Sequence, residues 1–112
     1  MSFFQSEVVR AELTEIQELQ EEVYGNVFKF PTMCKEDQQY HVDILERLLE
    51  KQRIMYTRLS LSEDPEAQQM KNSIMEGATD MGLPPNVDMN VFFKEMIKML
   101  GRMRMYIDKN EL

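Results

Sequence analysis

The stretch TMCKEDQQYHVDILERLLEKQRIMYTRL, Thr32 to Leu59, decides the fold class of this chain. It contains neither Gly nor Pro. His41, Ile44, Leu45, Leu48, Met55 and Leu59 recur at helical period, with Gln52 interrupting the stripe. Glu36 and Asp37 open it, and Arg47, Lys51, Arg53 and Arg58 lie towards its end, the order a helix dipole favours. A long helix over 33–59 follows. The next residues, Ser60-Leu61-Ser62-Glu63-Asp64-Pro65-Glu66, read as a stop and a restart. Asp64 can cap, Pro65 suits the first helical position, and Glu66 complements the dipole.

The restart predicts a helix over 65–81 with Ala67, Met70, Ile74 and Met81 on its stripe. Gly82 ends it, because Gly enters the left-handed region without a Cβ clash, and Pro84-Pro85 forbid continuation. Upstream, Val9, Leu13, Ile16, Leu19 and Val23 line one face of a helix over about 4–24, capped by Ser2 or Ser6. Gly25-Asn26 reads as its stop, followed by an aromatic connector, Val27 to Pro31. Downstream, Asn86 or Asp88 caps a helix over 87–108. Its stripe is Met89, Phe92, Phe93, Met96, Leu100, Met103 and Ile107, and the tail to Leu112 is polar. No segment alternates at period two. The expected fold is all-α: a single domain over 1–112, a small antiparallel bundle of about four helices, two or more of them long.

Composition narrows the function classes. The chain has 112 residues, 13 basic against 20 acidic side chains, a net charge of −7, one Cys and one His. One Cys builds no disulfide framework, and one Cys with one His cannot supply a zinc site of thiolates and imidazoles. The acidic balance argues against a nucleic-acid backbone binder, which gains affinity by placing Lys and Arg on phosphates. The start has no basic and apolar leader pattern, and no stretch reaches the roughly 18–20 apolar residues of a membrane span. A cytoplasmic protein is expected, with no membrane or nucleic-acid partner and no cofactor. The charge is uneven: residues 1–24 carry six Glu and one Arg, and residues 60–82 carry five acids and one Lys. The first and third helices are therefore acidic, while the second and fourth end in basic residues. An acidic mimic of nucleic acid is a minor reading of the first helix.

Four catalytic readings meet this inventory. A ferritin-like di-iron site needs two Glu-x-x-His motifs, and there is one His. An all-α magnesium-dependent nucleoside-triphosphate pyrophosphohydrolase needs carboxylates from adjacent helices around a hard cation. Glu15, Glu18 and Glu22 with Asp43 and Glu46 are the candidates, but Asp43-x-x-Glu46 has the reversed order and Glu-x-x-Glu is common on solvated helices. His41, four residues after Asp37, could act as general acid or base, but a partly buried, hydrogen-bonded core-edge His is the simpler reading. Cys34 has no His and Asn arrangement to activate it.

Methionine carries the more informative signal. There are eleven, eight from Met70 onward. Met is flexible and polarizable and serves both irregular cores and adaptable binding surfaces. Met70, Met81, Met89, Met96 and Met103 fit core stripes. Met75, Met99 and Met105 fall off them and, with Phe93, Ile97 and Tyr106, predict a protein-contact surface.

The opening Met1-Ser2-Phe3-Phe4 with Glu7-Val8-Val9, the stretch Arg58 to Ala67, and Met81-Gly82-Leu83-Pro84-Pro85 carry a resemblance over nearly the whole chain. The sequence resembles a family of small uncharacterised proteins of cyanobacteria and their T4-like phages, the domain of unknown function 1825. Glu21 to Phe28 and Pro85 to Asn90 look more like its phage branch. The resemblance implies a cytoplasmic helical protein and no assigned catalytic residues. The expected function is a non-catalytic protein-interaction or regulatory protein acting as a homodimer, with no small-molecule substrate. The magnesium pyrophosphohydrolase is the alternative.

Overall fold

The computed structural model describes residues 2–80, 82–84 and 87–109. Four helices follow in order: α1 Glu7–Asn26, α2 Lys35–Leu61, α3 Pro65–Asp80 and α4 Met89–Asp108. Short 3-10 turns lie at Phe3–Gln5 and Val27–Thr32. No strand occurs among the described residues. The all-α expectation holds, and the helices pack as a bundle with α2 at its centre.

The helix ends follow local chemistry. Ser6 Oγ accepts from the Val9 N–H at 3.4 Å and starts α1. Gly25 and Asn26 do not stop it. Gly25 stays helical, Asn26 Nδ2 donates to the Glu22 carbonyl at 2.9 Å, and the chain tightens into the 3-10 turn that contains Pro31. The helix expected over 33–59 runs two residues later at both ends, because Ser62 is its first extended residue. Asp64 caps α3 as expected, its Oδ1 accepting from Glu66 N–H at 2.9 Å. Gly82 has φ 104°; its N–H donates to the Thr79 carbonyl and that of Leu83 to the Ala78 carbonyl, a Schellman closure of α3. Asp88 caps α4 by accepting from Asn90 N–H at 2.9 Å. The candidate cap Asn86, the stripe residue Met81, Pro85, and the tail from Asn110 to Leu112 lie outside the described residues.

α1 packs antiparallel on one face of α2. Val9, Ile16, Leu19 and Val23 meet Ile44, Leu48, Met55 and Leu59, with Ala67 of α3 closing the end. Lys51 Nζ lies 2.5 Å from Glu15 and 3.9 Å from Glu12. Such partly exposed pairs add only about 0–1 kcal/mol each, so the apolar seam holds α1 in place. α4 packs antiparallel on another face of α2. Val42 meets Leu100 and Ile107 near one end, and Tyr56 meets Met89 and Phe93 near the other. Arg104 fastens this pair, with Nη1 2.6 Å from Asp43 and Nη2 2.9 Å from Glu46. These carboxylates raise the Arg104 pKa above its usual value, that of Glu46 most strongly.

Only Ala67 of α3 is fully buried. The helix is held at its start instead. Gln68 Nε2 donates to the Leu59 and Ser62 carbonyls at 3.2 and 2.6 Å, and Asp64 Oδ2 accepts from the Phe3 N–H at 2.6 Å. Beyond that anchored start, Met70, Ile74 and Ala78 of α3 border a space shared with α1, α2 and α4.

Candidate functional site: an apolar groove between helices

That space is a groove of about 700 Å³. Leu13, Ile16 and Gln20 of α1 form one wall, and Met89, Phe92 and Met96 of α4 form the other. Met55 and Tyr56 of α2 and Met70, Ile74 and Ala78 of α3 complete the lining. Its polar lining side chains are Gln20, Gln52 and the Tyr56 phenol; the rest is aliphatic, thioether or aromatic. No charged side chain lines it. Such a surface binds by apolar burial and shape, and its methionines can repack around an occupant.

The six residues expected to form a contact surface divide. Phe93 is 6% exposed and belongs to the core, against Tyr56 at 6.3 Å between ring centroids; the expectation for it is corrected. It sits on the α2-facing side of α4, in register with Leu100. Met75 packs partly buried against the same cluster, and Ile97 is half-buried. Met99, Met105 and Tyr106 are 54%, 57% and 51% exposed. Met105 lies about 120° round the helix from Met99, so it belongs to a different face. The surface that forms instead is a continuous strip on α4: Phe92, Met96, Met99, Met103 and Tyr106, each partly or fully exposed. Phe92 and Met96 belong to both the strip and the groove. The spacings of 4, 3, 4 and 3 are visible in the sequence, and Phe92 and Met103 also pack partly buried against the core clusters, as the core stripe predicts.

The metal reading gains no geometry. Glu15 is engaged by Lys51, whose hydrogen bond and charge lower its carboxyl pKa. Glu22 accepts from the Tyr40 hydroxyl at 3.0 Å, which raises the phenol pKa. Asp43 and Glu46 turn to Arg104, and Glu18 is exposed with no ion-pair partner among the described residues. No three His, Cys, Asp or Glu side chains among the described residues come together as a metal-binding group. Arg104 draws away the α2 half of that set, whereas in the sequence it marks only a basic helix end. Lys51 likewise interrupts the acidic face of α1.

His41 is buried, with its ring centroid 5.4 Å from that of Phe30. Burial lowers its pKa, partly opposed by the charge of Glu22. It lines a cavity of about 220 Å³ with Glu22, Asp37 and Tyr40. Cys34 is exposed and unpaired at the start of α2. No described helix is long and apolar enough to cross a membrane.

The architecture is thus that of a small all-α domain with an open apolar groove. The chain belongs to the family described as Domain of unknown function (DUF1825), which it matches over residues 1–107. No curated protein and no solved structure matches it.

Proposed function

We propose that this chain is a non-catalytic protein-interaction or regulatory protein that works through its helical surfaces as a homodimer. The observation that carries the reading is the uncharged groove joined to the exposed apolar strip of α4. The dimensions support it. The Cα radius of gyration is 15.9 Å, against about 13 Å for a compact domain of this length. The chain exposes 7735 Å², about 1,300 Å² more than a typical folded monomer of its mass. A standard interface removes about 800 Å² from each partner, so the excess is of the size a dimer would use. Contiguous exposed apolar surface of this kind marks association sites. In this reading the protein acts in the cytoplasm of a cyanobacterium or of a phage-infected host, on protein partners, and the family resemblance supports that setting.

Light scattering after size-exclusion chromatography tests the reading. The expected mass is twice that of the 13.3 kDa chain at about 100 µM, falling towards it on dilution. A single-chain mass at every concentration would overturn the homodimer.

A further inference from the structure

Resting on the homodimer reading, we infer that the second copy docks on the α4 strip, with the two α4 helices antiparallel. Phe92, Met96, Met99, Met103 and Tyr106 recur at the alternating spacing of a coiled-coil seam and run about 21 Å along the helix. The neighbouring flank of α4, with Phe93, Leu100 and Ile107, is already buried against α2. The opposite flank carries Glu95 and Arg102, both exposed. Arg102 makes no ion pair among the described residues, and Glu95 has only the exposed Lys98 at 3.4 Å.

These charges select one orientation and one register. A parallel pairing would set the charged flank of each copy against the partner's occupied flank. An antiparallel pairing brings like flanks together. With the two-fold axis between Met96 and Met99, Met96 faces the partner's Met99 and Phe92 faces the partner's Met103. Glu95 then lies beside the partner's Arg102, twice by symmetry. Tyr106 reaches the end of the groove formed by the partner's Met89 and Phe92, where an apolar ring with a polar tip suits a wet rim. Sliding the helices to place Met99 against the partner's Met103 would instead oppose Arg102 to its own symmetry mate. The seam and the flanking charges therefore agree on a single isologous interface, and a second copy is the occupant whose chemistry is complementary to it.

Sedimentation of Glu95→Arg and Arg102→Glu, alone and mixed, tests the inference, with helical circular dichroism confirming that each variant folds. Either variant alone opposes like charges twice, and its dimer dissociation constant is expected to rise about tenfold. An equimolar mixture forms a heterodimer in which both pairs are opposite again, and the constant is expected to return to within about threefold of the native one. Unchanged dimerisation in both single variants would overturn the α4 pairing while leaving the homodimer standing. A mixture no tighter than either variant would overturn the antiparallel register. A native chain that never dimerises would remove both readings together.

Discussion

Gly25 and Gly82 show how one residue type plays opposite parts in this chain. Gly25 lies within α1 at an ordinary helical φ, and an added Cβ would meet nothing within 4 Å. It costs helix stability through backbone entropy alone. Gly25→Ala is expected to stabilise the protein by about 0.5–1 kcal/mol in urea unfolding. Gly82 also has open space around it but sits at φ 104°, where an L side chain clashes with its own backbone. Gly82→Ala is expected to destabilise by about 1–2 kcal/mol. Shifts of the same sign would contradict the two helix ends described above. His41 sets an acid limit. Its folded pKa is lowered, so below about pH 6.5 the unfolded chain binds the proton more readily than the folded one. Stability is therefore expected to fall as the pH is taken from about 7 to 5.5, with His41→Phe flattening that slope in urea titrations. An equal slope in both proteins would assign the effect to other groups.

Among the elements, α2 explains both what the sequence disclosed and what it concealed. Its stripe facing α1 was legible, because Ile44, Leu48, Met55 and Leu59 keep one helical period. Val42 and Tyr56 were not on that stripe, yet they are buried against α4. A helix covered on two sides has two buried faces, and a search for one stripe finds only the stronger. In α4 the apolar arc serves two ends: Phe92 and Met103 pack partly buried against the core clusters, as their stripe predicts, while Phe92 and Met96 also line the groove. Spacing reports which face is apolar, and only packing decides what covers it. The α2–α3 corner was the most legible element, since Asp64-Pro65-Glu66 states its own geometry. Its tie to Phe3 was not, because a contact across 61 residues leaves no local trace. Asp64→Ala removes both the α3 cap and that tie and is expected to cost about 2 kcal/mol, with Asp64→Asn recovering much of it. A loss below about 0.5 kcal/mol in thermal melts would show that the corner is held by Gln68 and Ala67 instead.

At the scale of the molecule, the Cα extents of 49 × 31 × 19 Å describe a slab in which α2 joins everything to everything else. α2 packs against each of the other three helices, while α1 and α4 scarcely meet. Fold class was legible because stop signals and periods are local. The groove was not, since its lining is drawn from all four helices, whose juxtaposition leaves no local trace.

The separation of α1 from α4 has a meaning for the history of the sequence. In one isolated chain, substitutions on the outer sides of these helices act on different neighbours, so their effects should add. Each helix is free to drift without compensation by the other. A second copy docked α4 against α4 would end that freedom for α4 alone, because its outer residues would then answer to residues of the partner's α4. Correlated change between Glu95 and Arg102, which do not pair within one chain, would be a record of assembly rather than of folding.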